Sequence, residues 1–92
     1  MKARDICETA AALVSGDRAA THGNMVSNFT RSAALWNAYL GEDVVTPVDV
    51  GLMLALLKVA RVKSGSHNMD NYVDLAGYAG CSGEVAEALK TK

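Results

Sequence analysis

Apolar residues recur along this chain at helical spacing, in four runs separated by clusters of Gly, Ser, Asn and Asp. The first run spans Ala3 to Val14, with Ile6, Ala10, Leu13 and Val14 on one side. The second runs from Val26 to Leu40, where Phe29, Ala33, Trp36 and Leu40 recur at spacings of four, three and four, and Gly41 takes the C′ position. The third has the strongest start signal, with Thr46 as N-cap, Pro47 at N1 and Asp49 at N3 in a capping-box pattern. Its interior, Val50 to Val62, is apolar on most faces, which predicts a central helix. The fourth runs from Asp70 or Asn71 to Leu89, capped by Asn68 or Asp70. Only Val14 and Val44-Val45 have β-like surroundings, and neither site supports a strand. The pattern predicts one all-α domain over residues 1–92, a compact bundle of three to four helices.

The fourth run contains Gly77, Gly80 and Gly83, with Ala76 and Ala79 thickening the same small-residue surface. A glycine inside a helix costs about 1 kcal/mol relative to alanine. The stripe therefore predicts close approach by another helix or by a ligand.

Composition adds limits. Half of the 92 residues are apolar, but many are alanines, and the aromatics are one Trp, three Tyr and one Phe. A chain this small buries a core with little margin, and it is expected to gain burial as a homo-oligomer. The formal net charge is −1, with no basic tail or Lys/Arg stripe, which argues against a nucleic-acid partner. Val48 to Ala60 is too short to span a bilayer and carries Asp49 and Lys58, so no membrane role is expected. The first residues lack a signal-peptide hydrophobic region. Cys7 and Cys81 have no metal-site or redox spacing and read as reduced, buried thiols. The expected location is cytoplasmic.

The candidate chemistry lies where the third and fourth helices meet. Lys58 and Arg61, at i and i+3, share a face near the end of the third helix. Asp70 and Asp74, at i and i+4, share a face at the start of the fourth, and Asn71 is i, i+3 to Asp74. Each pair also suits the dipole of its helix end. The two faces make either a structural ion-pair network or, where the carboxylates only partly neutralise the cations, a pocket for a phosphorylated ligand. Arg18, His22 and Asn28 are further candidates from the segment around the second helix start. His67, in a Gly/Ser loop, reads as solvent-exposed. Trp36 reads as core, and Tyr72 as an exposed ring able to stack. No HxxxH, HExxH, CxxC, P-loop or GxSxG motif is present.

The runs Gly16-Asp17-Arg18, His22-Gly23, Asn28-Phe29, Ala33-Ala34-Leu35-Trp36, Thr46-Pro47, Leu56-Leu57-Lys58, Arg61 and Asp70-Asn71-x-Val73-Asp74, taken together over Val14 to Glu84, resemble a small domain of unknown function found in tailed-phage and prophage proteins. The resemblance implies phage origin, action in an infected bacterial host and an all-α fold, but no reaction. The layout is also loosely similar to all-α nucleotide pyrophosphohydrolases of the MazG and dUTPase type, which hold magnesium through ExxE and ExxD on consecutive helices. Here Asn71-Tyr72-Val73-Asp74 stands in the ExxD place, and Lys58-Val59-Ala60-Arg61 fills the ExxE place. Two cations cannot ligate magnesium, which takes oxygen ligands.

Three readings follow. The first is a binder, not an enzyme and without cofactor, of a phosphorylated, nucleotide-like small molecule. Lys58 and Arg61, with Arg18, take phosphate; Asn28, Asp70, Asn71 and Asp74 bond sugar or base; His22 lines the site. By analogy with other phage proteins, it would sequester a nucleotide immune signal as an anti-defence sponge. The second is a magnesium-dependent nucleotide hydrolase using Asp70 and Asp74. The third is a structural or protein-interaction module in which the charged seam locks the helices and the glycine stripe forms a subunit contact.

Overall fold

Side chains that occupy the first free amides build the helix starts. In the computed structural model, which describes residues 1–15 and 24–90, the helices are α1 (Ala3–Val14), α2 (Met25–Leu40), α3 (Pro47–Ser64) and α4 (Met69–Lys90). Thr46 and Asp49 form the reciprocal capping box at α3: the Asp49 amide donates to Thr46 Oγ1 at 3.2 Å and the Thr46 amide to Asp49 Oδ2 at 2.9 Å. Asn24 Oδ1 accepts from the Ser27 amide at 3.1 Å at the start of α2. Asn68 Oδ1 accepts from the Asp70 amide at 3.0 Å at the start of α4. Gly41 ends α2 in the left-handed region at φ 74°, as its C′ position requires. The α2–α3 connection is held by Asn37, whose Oδ1 accepts from the Val44 and Val45 amides at 3.0 and 2.8 Å while its Nδ2 donates to the Val45 carbonyl at 2.9 Å. The fold is all-α, with no strand among the described residues.

The central helix is α4, not α3 as the apolar pattern predicted. α3 packs on it most extensively, α1 lies along it, and α2 bridges α3 and α4 with its larger contact on α3. α3 contributes only a narrow strip to the interior, namely Val50, Gly51 and Ala55. Its Leu52, Met53, Leu56, Leu57 and Val59 remain 40–66% exposed. The buried apolar set consists of small residues throughout: Ala10, Ala33, Val50, Ala55, Val73, Cys81 and Val85. Cys81 is buried as expected, whereas Cys7 is exposed on the outer side of α1. Trp36 is half-buried rather than enclosed.

Small residues at the centre mean close backbones, and the closest approach is at Gly51. A Cβ there would collide with Ser82 Oγ and sit 3.0 Å from both Phe29 Cε2 and the Tyr78 carbonyl oxygen. Ser82, almost fully buried, donates to the Val48 carbonyl at 2.8 Å, which ties α4 to the first turn of α3. The close contact anticipated for the glycine stripe of α4 is absent within the described fold. Gly80 and Gly83 have nothing within 4 Å of where a Cβ would stand, and Gly77 has only an ordinary contact with Val14 at 3.5 Å.

Gly51→Ala is expected to destabilise the fold by roughly 1–3 kcal/mol through overpacking. Gly80→Ala and Gly83→Ala are expected to stabilise it by up to about 1 kcal/mol each, because alanine fits the helix without new contacts and narrows the unfolded ensemble. Urea unfolding midpoints of the three variants check this opposition of sign.

Candidate functional site

The close packing of α3 on α4 turns one of the two predicted cations inward. Lys58 Nζ lies 2.9 Å from Asp74 Oδ2, with the lysine side chain 12% exposed and the aspartate 35%. This pair is the predicted seam reduced to a single bond. Arg61 and Asp70 are both exposed and make no ion pair among the described residues. Asp70 stands one turn before Asp74, at the loop end of α4, where its amide is engaged by Asn68. Burial makes the Lys58–Asp74 bond costly to break, because the lysine is largely removed from water and pairs with no other carboxylate among the described residues.

Two clefts flank this pair. The first, of about 220 Å³, lies between α1 and α4 and is mostly apolar, with Asp74 as its charged member among Leu13, Val14, Val73, Gly77 and Cys81. The second, of about 240 Å³, is polar and lies where α3 passes into α4, lined by Val62, Ser66, His67, Asn68, Asn71 and Tyr72. The His67 and Tyr72 rings lie 6.2 Å apart between centroids, tilted by 37°.

Asn71 is the distinctive residue of the second cleft. It is only 9% exposed, yet its side chain makes no hydrogen bond with the described residues; only its backbone amide is engaged, donating to the Asn68 carbonyl at 3.1 Å. Among the described residues no buried side-chain nitrogen or oxygen is without a partner, so the unbonded part of the Asn71 carboxamide is accessible, and the residue lines this cleft. A carboxamide carries two donors and an acceptor, enough to read one edge of a polar ligand.

The eight residues proposed from the sequence therefore separate. Asn71 belongs to the polar cleft, Asp74 and Lys58 to the ion pair, and Arg61 and Asp70 to the surface at the same end of the bundle. Asn28 sits in the second turn of α2, where Arg31 donates to it at 3.3 Å, and neither cleft includes it. Arg18 and His22 lie outside the described residues. Among the described residues no three His, Cys, Asp or Glu side chains gather as a metal site, and the two ends of the ExxD-like segment serve different clefts. Asn68 is the α4 cap that the sequence predicts and His67 is the exposed loop residue, but their place beside Asn71 in the cleft, with Ser66, is not apparent from the sequence. Its one trace is the polar density of Ser66-His67-Asn68 followed within one helical turn by Asn71-Tyr72.

Asp74→Ala strands a largely buried ammonium group and is expected to cost about 1–3 kcal/mol, reduced from a fully buried pair by the partial exposure of the carboxylate. Asp70→Ala is expected to stay within about 0.5 kcal/mol of the parent. Denaturant titration of both variants separates the ion pair from its exposed neighbour.

Residues 5–86 match the model of a domain of unknown function, DUF6378. The Gene 55 protein of Mycobacterium phage L5 is 43% identical over 75 residues, which cover 82% of this chain and 48% of that protein. The Gene 55 protein of Mycobacterium phage D29 is 38% identical over 82 residues, covering 89% of this chain and 54% of its own length. The chain thus spans about half the length of these phage relatives. No solved structure matches it. No described helix is long and apolar enough to cross a membrane. The match over nearly the whole chain and the identity to the two phage proteins lead to one assignment: this protein belongs to the DUF6378 family, with phage relatives.

Proposed function

We propose that this domain binds a small, phosphorylated, nucleotide-like molecule at the polar cleft between α3 and α4, without turning it over. The observation that carries this reading is Asn71: a residue nine-tenths buried, whose side chain makes no hydrogen bond with the described residues and which lines the small polar cleft. Tyr72 and His67 supply ring faces beside it for a base or sugar. Arg61, exposed and without an ion pair among the described residues, would take the phosphate in this reading, although it does not itself line the cleft. Lys58 is engaged by Asp74, so its share of the phosphate falls to Arg61 in this reading. The relatives come from phages, and in this reading the domain would sequester a nucleotide signal of the infected host.

A second reading, a helical interaction module, is favoured by the Lys58–Asp74 lock and by the large side chains exposed on α3. The two readings are compatible, since the cleft and the outer face of α3 are separate surfaces.

A thermal-shift series with mono-, di-, tri- and cyclic nucleotides, with and without magnesium, tests the binder. One nucleotide class is expected to raise the melting temperature independently of magnesium. At a concentration 100 times its dissociation constant the stabilisation is about 2.7 kcal/mol. Tyr72→Ala and Arg61→Ala should each reduce the shift, and the nucleotide should be recovered intact. A flat panel contradicts the binder, and magnesium-dependent product formation transfers the assignment to the hydrolase.

A further inference from the structure

We infer that the outer face of α3 is an interface with a second copy of this chain, in antiparallel orientation about a twofold axis at Leu56. Asp49, Leu52, Leu56, Val59 and Lys63 follow one another at spacings of three, four, three and four, the heptad spacing that keeps side chains on one face. The three apolar members are exposed by 46, 66 and 40%. Met53 and Leu57 widen the stripe, while Lys58, on the opposite side of the helix, is turned inward. The helix thus presents its leucines to water and its lysine to the interior, the reverse of what an isolated small domain gains by folding. The exposed parts of these apolar side chains amount to about 400 Å², roughly half of the 800 Å² or so that a standard interface takes from each partner, with the polar rim supplying the rest.

Charge selects the orientation. Asp49 and Lys63 lie seven residues to either side of Leu56. Parallel pairing would set Asp49 against Asp49 and Lys63 against Lys63. Antiparallel pairing about Leu56 sets each Asp49 against the other copy's Lys63, and Leu52 against Ala60. Both charged groups have capacity for this. Asp49 uses Oδ2 to cap Thr46, and Lys63 is exposed with no ion pair among the described residues. The interface uses no residue of the polar cleft, so it stands or falls apart from the ligand reading.

Sedimentation equilibrium of the chain is expected to give twice the 9.7 kDa monomer mass. Leu56→Glu should yield monomers with unchanged helical circular dichroism. Lys63→Asp should weaken the dimer about tenfold through two lost rim pairs, and added salt should weaken the parent dimer but not this variant. In a Cys7→Ala background, Leu56→Cys should form a disulfide between copies. Leu52→Cys should not, because antiparallel pairing sets its two copies about 12 Å apart along the helix. A monomer at tens of micromolar overturns the proposal and leaves the face to another segment or protein. Equal crosslinking of Leu52→Cys overturns the antiparallel orientation, and an unaffected Lys63→Asp dimer overturns the role of charge.

Discussion

The arrangement depends on how closely α3 can approach α4, and Gly51 decides that distance. No side chain fits between the α3 backbone and Ser82, Phe29 and Tyr78 at this point. Ser82 then fixes the register by its bond to the Val48 carbonyl. Two helices held this near leave room at their seam for valine, alanine and cysteine but not for leucine, which accounts for the small-residue core. Dispersion between closely packed backbones and small side chains replaces the bulk that larger apolar groups would contribute.

That register also assigns every other residue of α3 to a side. With Gly51 and Ala55 facing inward, Lys58 follows them toward α4 and must find an anion there, which Asp74 provides. Leu52, Leu56 and Val59 are carried to the opposite side. A one-residue slip would bury the leucines against Ser82 and strand the lysine in water without its partner. The fold therefore spends apolar surface on its exterior, and a partner that covers α3 would recover it. The polar cleft arises from the same packing: α3 ends and α4 begins while the two are still in contact, so the loop side chains and Asn71 close around a small volume instead of dispersing into solvent.

The helices were legible because their signals are local. Thr46-Pro47-x-Asp49, Gly41 and Asn68 each act within four residues, and capping chemistry needs no tertiary context. The partners were less legible. A mostly apolar α3 reads as central, but periodicity does not say which of two apolar faces is covered by the chain itself. Gly77, Gly80 and Gly83 formed a regular stripe and were read as the close contact, whereas the contact fell at the single Gly51, inside a leucine-rich run that disguised it. In the charged seam, opposite charges near one another marked the right neighbourhood. Only the rotation of the helices shows that Lys58 and Asp74 meet while Arg61 and Asp70 remain exposed. His67 is an exposed loop residue, as the sequence predicts, but its nearness to Tyr72 is produced by the turn into α4.

As a member of a phage family, the domain offers a folded body whose three surfaces have separate physical characters: an apolar cleft beside α1, a polar cleft at the α3–α4 turn, and a leucine face on α3. All three exist only in the register that Gly51 permits. The most direct test is a double-mutant cycle of Gly51→Ala with Ser82→Ala, followed by equilibrium unfolding. A methyl group at position 51 must push the Ser82 hydroxyl from its bond to Val48, so the double variant should lose less stability than the two single losses added together. Losses that add within about 0.5 kcal/mol would contradict the claim that these two residues set the helix pairing.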